Sequence, residues 1–143
     1  MRKVIVIGQA PARIAKNPRK PWSSGPSAKR LWRWFGVSSR EELVEKVDVF
    51  NASPVYPGAN KKGDKLPRDK QKIRERVIRK IRRGKYNGVI VVGAFVDGLI
   101  RDWLRDRRLM TLCIPHPSGV NISANGVDDS MVRLTSTFLE IAS

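Results

Sequence analysis

The chain has 143 residues, 41% of them hydrophobic, with 29 Lys and Arg against 13 Asp and Glu and a formal net charge of +16. That length suits one buried core and is short for two, so a single domain over 1–143 is expected. One cysteine, Cys113, excludes an internal disulfide and any thiolate cluster for zinc or iron–sulfur, and no apolar run is long enough to span a membrane.

The cations are spread along the whole chain rather than gathered in a tail, which implies a basic folded surface and a polyanionic partner. Nucleic acid is the first expectation, because phosphate neutralisation with counterion release dominates such binding. The competing explanation, a surface tuned for heat or salt, would carry comparable Glu, and this one does not. Four apolar residues between Met1-Arg2-Lys3 and Gly8 are too few for a secretory leader. A cytoplasmic protein is expected, or a nuclear one if it comes from a nucleated cell or its virus.

The first element is the strand Val4-Ile5-Val6-Ile7, followed directly by the loop Gly8-Gln9-Ala10-Pro11-Ala12. Residues 13–26, with Pro18, Pro21, Gly25 and Pro26, fit no regular structure. Ser27 to Phe35 reads as a helix with Leu31 and Phe35 four apart and Gly36 as its C′ residue. Ser39 with Glu42 three residues later forms a capping box for a short helix through Lys46.

A second strand, Val47-Asp48-Val49-Phe50, leads into a second irregular stretch, 53–68. Within it Gly58 to Lys65 admits two readings, a phosphate-gripping loop or a solvated one, and lacks the Walker order of Gly-Lys-Ser/Thr. Asp69 to Arg83 places Ile73, Val77, Ile78 and Ile81 on one stripe of a helix whose opposite face is cationic. The strand Val89-Ile90-Val91-Val92 follows, then a helix over 94–105 with Phe95, Leu99 and Trp103 at intervals of four.

The run Met110 to Ile114 completes the strands, with Cys113 expected as a small buried hydrophobe. The loop His116-Pro117-Ser118-Gly119-Val120-Asn121 carries the only histidine, and a last helix runs from Asp128 to Ile141. Short, β-branched, unalternating runs are the pattern of strands covered on both faces. The order β-α-α-β-α-β-α-β-α therefore predicts an α/β protein, a three-layer α/β/α sandwich around a four-stranded parallel sheet. The loops after the strands would border one crevice, where open α/β sheets bind ligands.

The ordered set Gly8-Gln9-Ala10-Pro11-Ala12, Lys20-Pro21-Trp22, Gly25-Pro26-Ser27-Ala28, Phe50-Asn51 and His116-Pro117-Ser118-Gly119-Val120-Asn121 resembles the uracil-DNA glycosylase superfamily across nearly the whole chain. It is most similar to members with Ala in the first motif and a His-Pro-Ser second motif. The resemblance implies hydrolysis of the N-glycosidic bond of uracil or another deaminated base in DNA, a base-excision repair step; a monomer is expected, and no cofactor. Such an enzyme flips the nucleotide out of the stack and grips the base.

In that family Trp22 stands at the stacking aromatic, usually Phe, and Asn51 at the amide that reads the uracil edge with one donor and one acceptor. His116 stands at the histidine that hydrogen-bonds O2 as negative charge moves onto the departing base. A donor aimed at developing charge is worth about 2.7–4 kcal/mol. Its bland reading is a core histidine satisfied by backbone groups. Gly8, Ala10 and Pro11 would line the base site, and Gln9 is grouped with Asn51 and His116 as a catalytic residue. Ser118, Gly119, Val120 and Asn121 would touch the DNA backbone, with Val120 as an apolar wedge, although Asn121 serves equally as a loop cap. Arg13, Lys16, Arg19 and Lys20 flank the pocket mouth and are the first choices for phosphate contacts. Trp32, Trp34 and Trp103 read as packing residues.

Two departures matter. Where relatives carry Asp, Asn or Glu to orient the attacking water, this chain has Ala10 and Gln9, neither of which is a general base. The Ala-type relatives are nevertheless broad-range glycosylases, so the resemblance implies a slower enzyme, with hypoxanthine and xanthine as candidate bases beside uracil. Those relatives commonly hold an iron–sulfur cluster on four cysteines, and one cysteine cannot supply it. No lysine is placed for a Schiff base, so strand cleavage is not expected. Two further classes remain open, a catalytically silent nucleic-acid-binding module and an enzyme on free nucleosides; the latter needs no extended basic surface.

Overall fold

The computed structural model describes residues 2–11, 20–61, 63–118 and 126–142. In chain order the elements are β1 (Val4–Gly8), α1 (Pro26–Trp34), α2 (Arg40–Lys46), β2 (Asp48–Asn51), β3 (Ala59–Asn60), β4 (Gly63–Asp64), α3 (Lys70–Gly84), β5 (Gly88–Val92), α4 (Ala94–Asp106), β6 (Met110–Ile114) and α5 (Val127–Ala142). The main sheet is parallel throughout, in the order β2-β1-β5-β6.

Successive side chains of a strand point to opposite faces, and here both faces are covered. Val4, Val6, Ile90 and Val92 pack under Leu31 and Trp34 of α1, Leu43 of α2 and Phe138 of α5. Ile5, Ile7, Val89 and Val91 pack on the other side against Ile73, Val77 and Ile81 of α3 and Val96, Ile100 and Leu104 of α4. The result is the three-layer α/β/α sandwich with a four-stranded parallel sheet.

Local signals act where the chain places them. Pro26 opens α1, and Gly36 at φ 70° follows its cap as the left-handed residue that a side chain would disfavour. The Ser39 hydroxyl accepts from Glu42 N at 3.2 Å, while the returning Glu42 carboxylate takes Ser38 N–H at 3.3 Å, one residue earlier than a reciprocal box requires.

Three expectations are corrected. β6 is a sheet edge, so its residues alternate, and Cys113 is exposed rather than a buried hydrophobe. The deep stripe of α4 is Val96, Ile100 and Leu104, one residue on from Phe95, Leu99 and Trp103, which are only partly buried beside the core. The stretch 53–68 contains a two-stranded antiparallel ribbon, Ala59 pairing Asp64 and Asn60 pairing Gly63, with Lys65 N–H donating to Gly58 O at 2.8 Å. Too few residues lie there for periodicity to register.

Candidate active site at the carboxyl edge of the sheet

The ends of β1 and β2 lie side by side, Gly8 opposite Asn51, and the ladder continues into their loops. Ala52 N–H donates to Gly8 O and Ser53 N–H to Gln9 O, each at 2.8 Å. This pairing brings Asn51, only 6% exposed, against the β1 terminus. A Cβ on Gly8 would lie 2.8 Å from Asn51 Oδ1 and 3.0 Å from Trp22 Cζ2. Only glycine lets the carboxamide and the indole close over the strand end.

Arg76 of α3 secures the β2 end from behind. Its Nε donates to Ala52 O at 3.1 Å and its Nη2 to Asn51 O at 3.5 Å, with the guanidinium 4.5 Å from the Phe50 ring centroid. Burial lowers its pKa from the ordinary arginine value. The two carbonyls thereby gain a charged donor.

Trp22 reaches Gly8 from a strained backbone. Its φ is 60°, a left-handed conformation that costs a bulky residue about 1–3 kcal/mol and persists only where its surroundings enforce it. They do: Trp32 Nε1 donates to Trp22 O and Arg40 Nε to Pro21 O, both at 3.0 Å. Trp32 is thus more than packing. The Trp22 Nε1 is itself buried with no acceptor among the described residues. Strain and an unsatisfied donor in one residue mark a position kept for something other than stability.

His116 faces Trp22, ring centroids 5.6 Å apart and planes inclined at 42°. Ser118 N–H donates to His116 Nδ1 at 3.1 Å, and Ser118 Oγ lies 2.7 Å from the same nitrogen. A backbone N–H can only donate, so this geometry assigns Nδ1 as the acceptor and leaves the ring N–H on Nε2. Gly93, at φ 91° after β5, donates its N–H to Ile114 O at 2.8 Å, and a Cβ there would meet His116 Cβ at 3.8 Å.

The far side of this turn is tied to α1. Arg30 Nη1 donates to Pro117 O at 3.4 Å, and its Nε and Nη2 donate to Asp128 Oδ1 and Oδ2 at 2.8 and 3.3 Å. Trp34 Nε1 donates to Asp128 Oδ1 at 2.7 Å. Asp128 stands at the start of α5, where the helix dipole also favours an anion. The Arg30 hydrogen bond first, and the Trp34 bond after it, hold the Asp128 carboxyl below its usual range.

Of the residues expected from sequence, Gly8, Trp22, Asn51 and His116 come together here. Gln9 and Ala10 are half-buried and Pro11 buried just beyond β1, while Lys20 and Ser118 are exposed. Arg13, Lys16, Arg19, Gly119, Val120 and Asn121 lie outside the described residues. Sequence reasoning missed Arg30, Arg76 and Gly93. A glycine directly after the strand 89–92 repeats the Gly8 pattern and could have been read; the two arginines, among 29 cationic residues, carry no distinguishing signal. A single cysteine, Cys113, cannot supply the four thiolates of an iron–sulfur cluster.

A doubly wound parallel sheet with glycine-flanked loops defines an α/β protein, and its amide, indole and imidazole gather at the strand ends, the edge where such folds place their ligand crevices. The sequence matches the uracil DNA glycosylase superfamily over residues 2–136, and the chain belongs to that superfamily, one of DNA glycosylases. No curated protein matches the chain. Among the described residues no helix is long and apolar enough to cross a membrane.

Proposed function

We propose that this protein excises uracil, or another deaminated base, from DNA by hydrolysing the N-glycosidic bond without cutting the strand. The observation that carries this reading is the meeting of Trp22 and His116 beside Gly8 and Asn51, with Ser118 fixing the imidazole tautomer. A base swung out of the duplex stacks on the Trp22 indole, which is indifferent to base identity. The Asn51 carboxamide supplies the donor and the acceptor that a uracil-like edge needs. The missing side chain of Gly8 leaves the room that this carboxamide occupies.

The bond from the base nitrogen to the sugar C1′ then breaks, and its electron pair leaves with the base. His116 donates its Nε2 proton as a hydrogen bond to the base O2, where the negative charge collects. The sugar cation that remains is captured by water, which releases a proton to solvent as the departing base gains one. Neither Ala10 nor Gln9 accepts that proton, so departure of the base precedes water capture and the reaction is slow. Lys20 and Ser118, exposed at the rim, take DNA phosphates together with Arg13, Lys16, Arg19, Gly119, Val120 and Asn121.

The test is incubation with single- and double-stranded oligonucleotides containing uracil, hypoxanthine or xanthine, followed by hot alkali. Scission at the modified base is expected. DNA binding with no scission on any of these bases would leave a silent binding module instead. Ala10→Asp, which restores a water-orienting carboxylate, should raise uracil excision.

A further inference from the structure

The opposite edge of the sheet holds a second concentration of chemistry that excision does not use. Lys85 and Tyr86 lie just before β5, and Leu109 just before β6, so they mark the amino edge; the C-terminal turns of α3 and α4 descend to the same place. Four residue steps along β5 separate the two edges by about 13 Å. Between these elements lies a pocket of about 220 Å³ lined by Arg82, Lys85, Arg107, Tyr86 and Trp103.

Its charge is one-sided. Among the described residues three cations and no carboxylate line it. The Arg82 and Arg107 guanidiniums sit 5.8 and 5.2 Å from the centroid of the same Trp103 ring, and neither forms an ion pair among the described residues. The adjoining carboxylate, Asp48, is engaged by the Tyr86 hydroxyl. Burial, then this hydrogen bond, pushes the Tyr86 phenol well above its ordinary pKa, so it stays neutral. Tyr86 is placed deliberately: a Cβ on Gly84 would fall 2.1 Å from its ring.

An indole flanked by two guanidiniums orients their donors while partly offsetting their repulsion. Forks so presented match phosphate oxygens, and an anion between them removes the repulsion that remains. We propose that this amino-edge pocket is a second nucleic-acid contact, gripping DNA phosphates remote from the base-binding edge. It gives a place to cations that a site at the carboxyl edge cannot use, in a chain with a net charge of +16.

The experiment follows the four Trp indole N–H resonances of the ¹⁵N-labelled protein, Trp103 being assigned with Trp103→Phe, during titration with a short uracil-free oligothymidylate. The Trp103 resonance should shift saturably, and the Arg82→Gln/Lys85→Gln/Arg107→Gln variant should lose the shift. That variant should also flatten the dependence of log affinity on log salt by about 2, from ~0.7 per contact. Arg82→Lys/Arg107→Lys, which keeps the charge but not the forks, should keep a saturable shift at weaker affinity and so guard against a folding defect.

Neutralising three exposed cations elsewhere, Arg79, Arg83 and Arg133, should leave the Trp103 shift in place. A Trp103 resonance that stays still while the oligonucleotide binds would overturn the proposal. So would an equal shift with inorganic phosphate at the same phosphate concentration, which would make this a small-anion site. The probe contains no uracil, so failure of excision and failure of this contact are separate results.

Discussion

At the carboxyl edge of the sheet a glycine, a buried carboxamide, an indole on a strained backbone and an imidazole are set in contact, with the nearby charges, Arg30, Arg76 and Asp128, spent on holding loops. At the amino edge the arrangement is inverted: the aromatic rings are supports, and the charges of Arg82, Lys85 and Arg107 face the pocket. The contrast follows from what each surface would recognise. A base is planar and mostly neutral, so it is read by shape and by single donors and acceptors whose misplacement is costly. A phosphate backbone is read by charge, which tolerates displacement.

The largest separation between the two edges should come from His116→Ala. Excision is expected to fall at least about 10²-fold, the loss of one donor on developing charge, with uracil-free DNA bound as before. Full activity in this variant would remove the site from the carboxyl edge. Asn51→Ala should follow, costing about 1–3 kcal/mol in the excision rate constant through the lost edge-reading group, again with salt-dependent binding intact.

Gly8→Ala sharpens the same side. The added methyl, 2.8 Å from Asn51 Oδ1, must push the amide or the Trp22 ring aside. Overpacking of this kind costs about 1–3 kcal/mol, read as a lower melting temperature together with slower excision. Unchanged melting and unchanged rate would mean that the contact is loose.

The smallest effects are in pH, and they assign one limb of the stability curve to each edge. Asp128 has a depressed folded pKa, so its contribution is present above its unfolded value of 3.8 and is lost as pH falls below that toward the folded one. Tyr86 has a raised pKa, so its contribution is complete below 10.0 and is lost as pH rises beyond it. Denaturant melts across pH should therefore show an acid limb absent in Asp128→Asn and an alkaline limb absent in Tyr86→Phe. Exchange of the two limbs between the variants would contradict the assignment.

Much of the scaffold was legible because its signals are local. Unalternating β-branched runs announced strands buried on both sides, Gly36 and Ser39 announced helix ends, and the Gly8 and His116 loops pointed to the candidate site by their position after strands. β6 was misread for a physical reason. A short apolar run has the same appearance in a central strand and in an edge strand, and only the neighbour that is absent on one side exposes Cys113. Along α4 the rows Phe95, Leu99, Trp103 and Val96, Ile100, Leu104 are both apolar at the same spacing, so only the docking of the helix on the sheet decides which lies deepest.

By itself, then, the amino-acid sequence determined the layering of the sheet, the cationic excess and the residue types at the strand ends, all consequences of periodicity and composition within short windows. Tertiary structure decided which of those residues touch: Trp22 with His116 across 94 positions of chain, Arg30 with both Pro117 and Asp128, and Arg82 with Arg107 on one indole. Such pairings depend on the crossing of helices over a common sheet. No local pattern encodes that geometry, because it arises only when both faces of the sheet are covered at once.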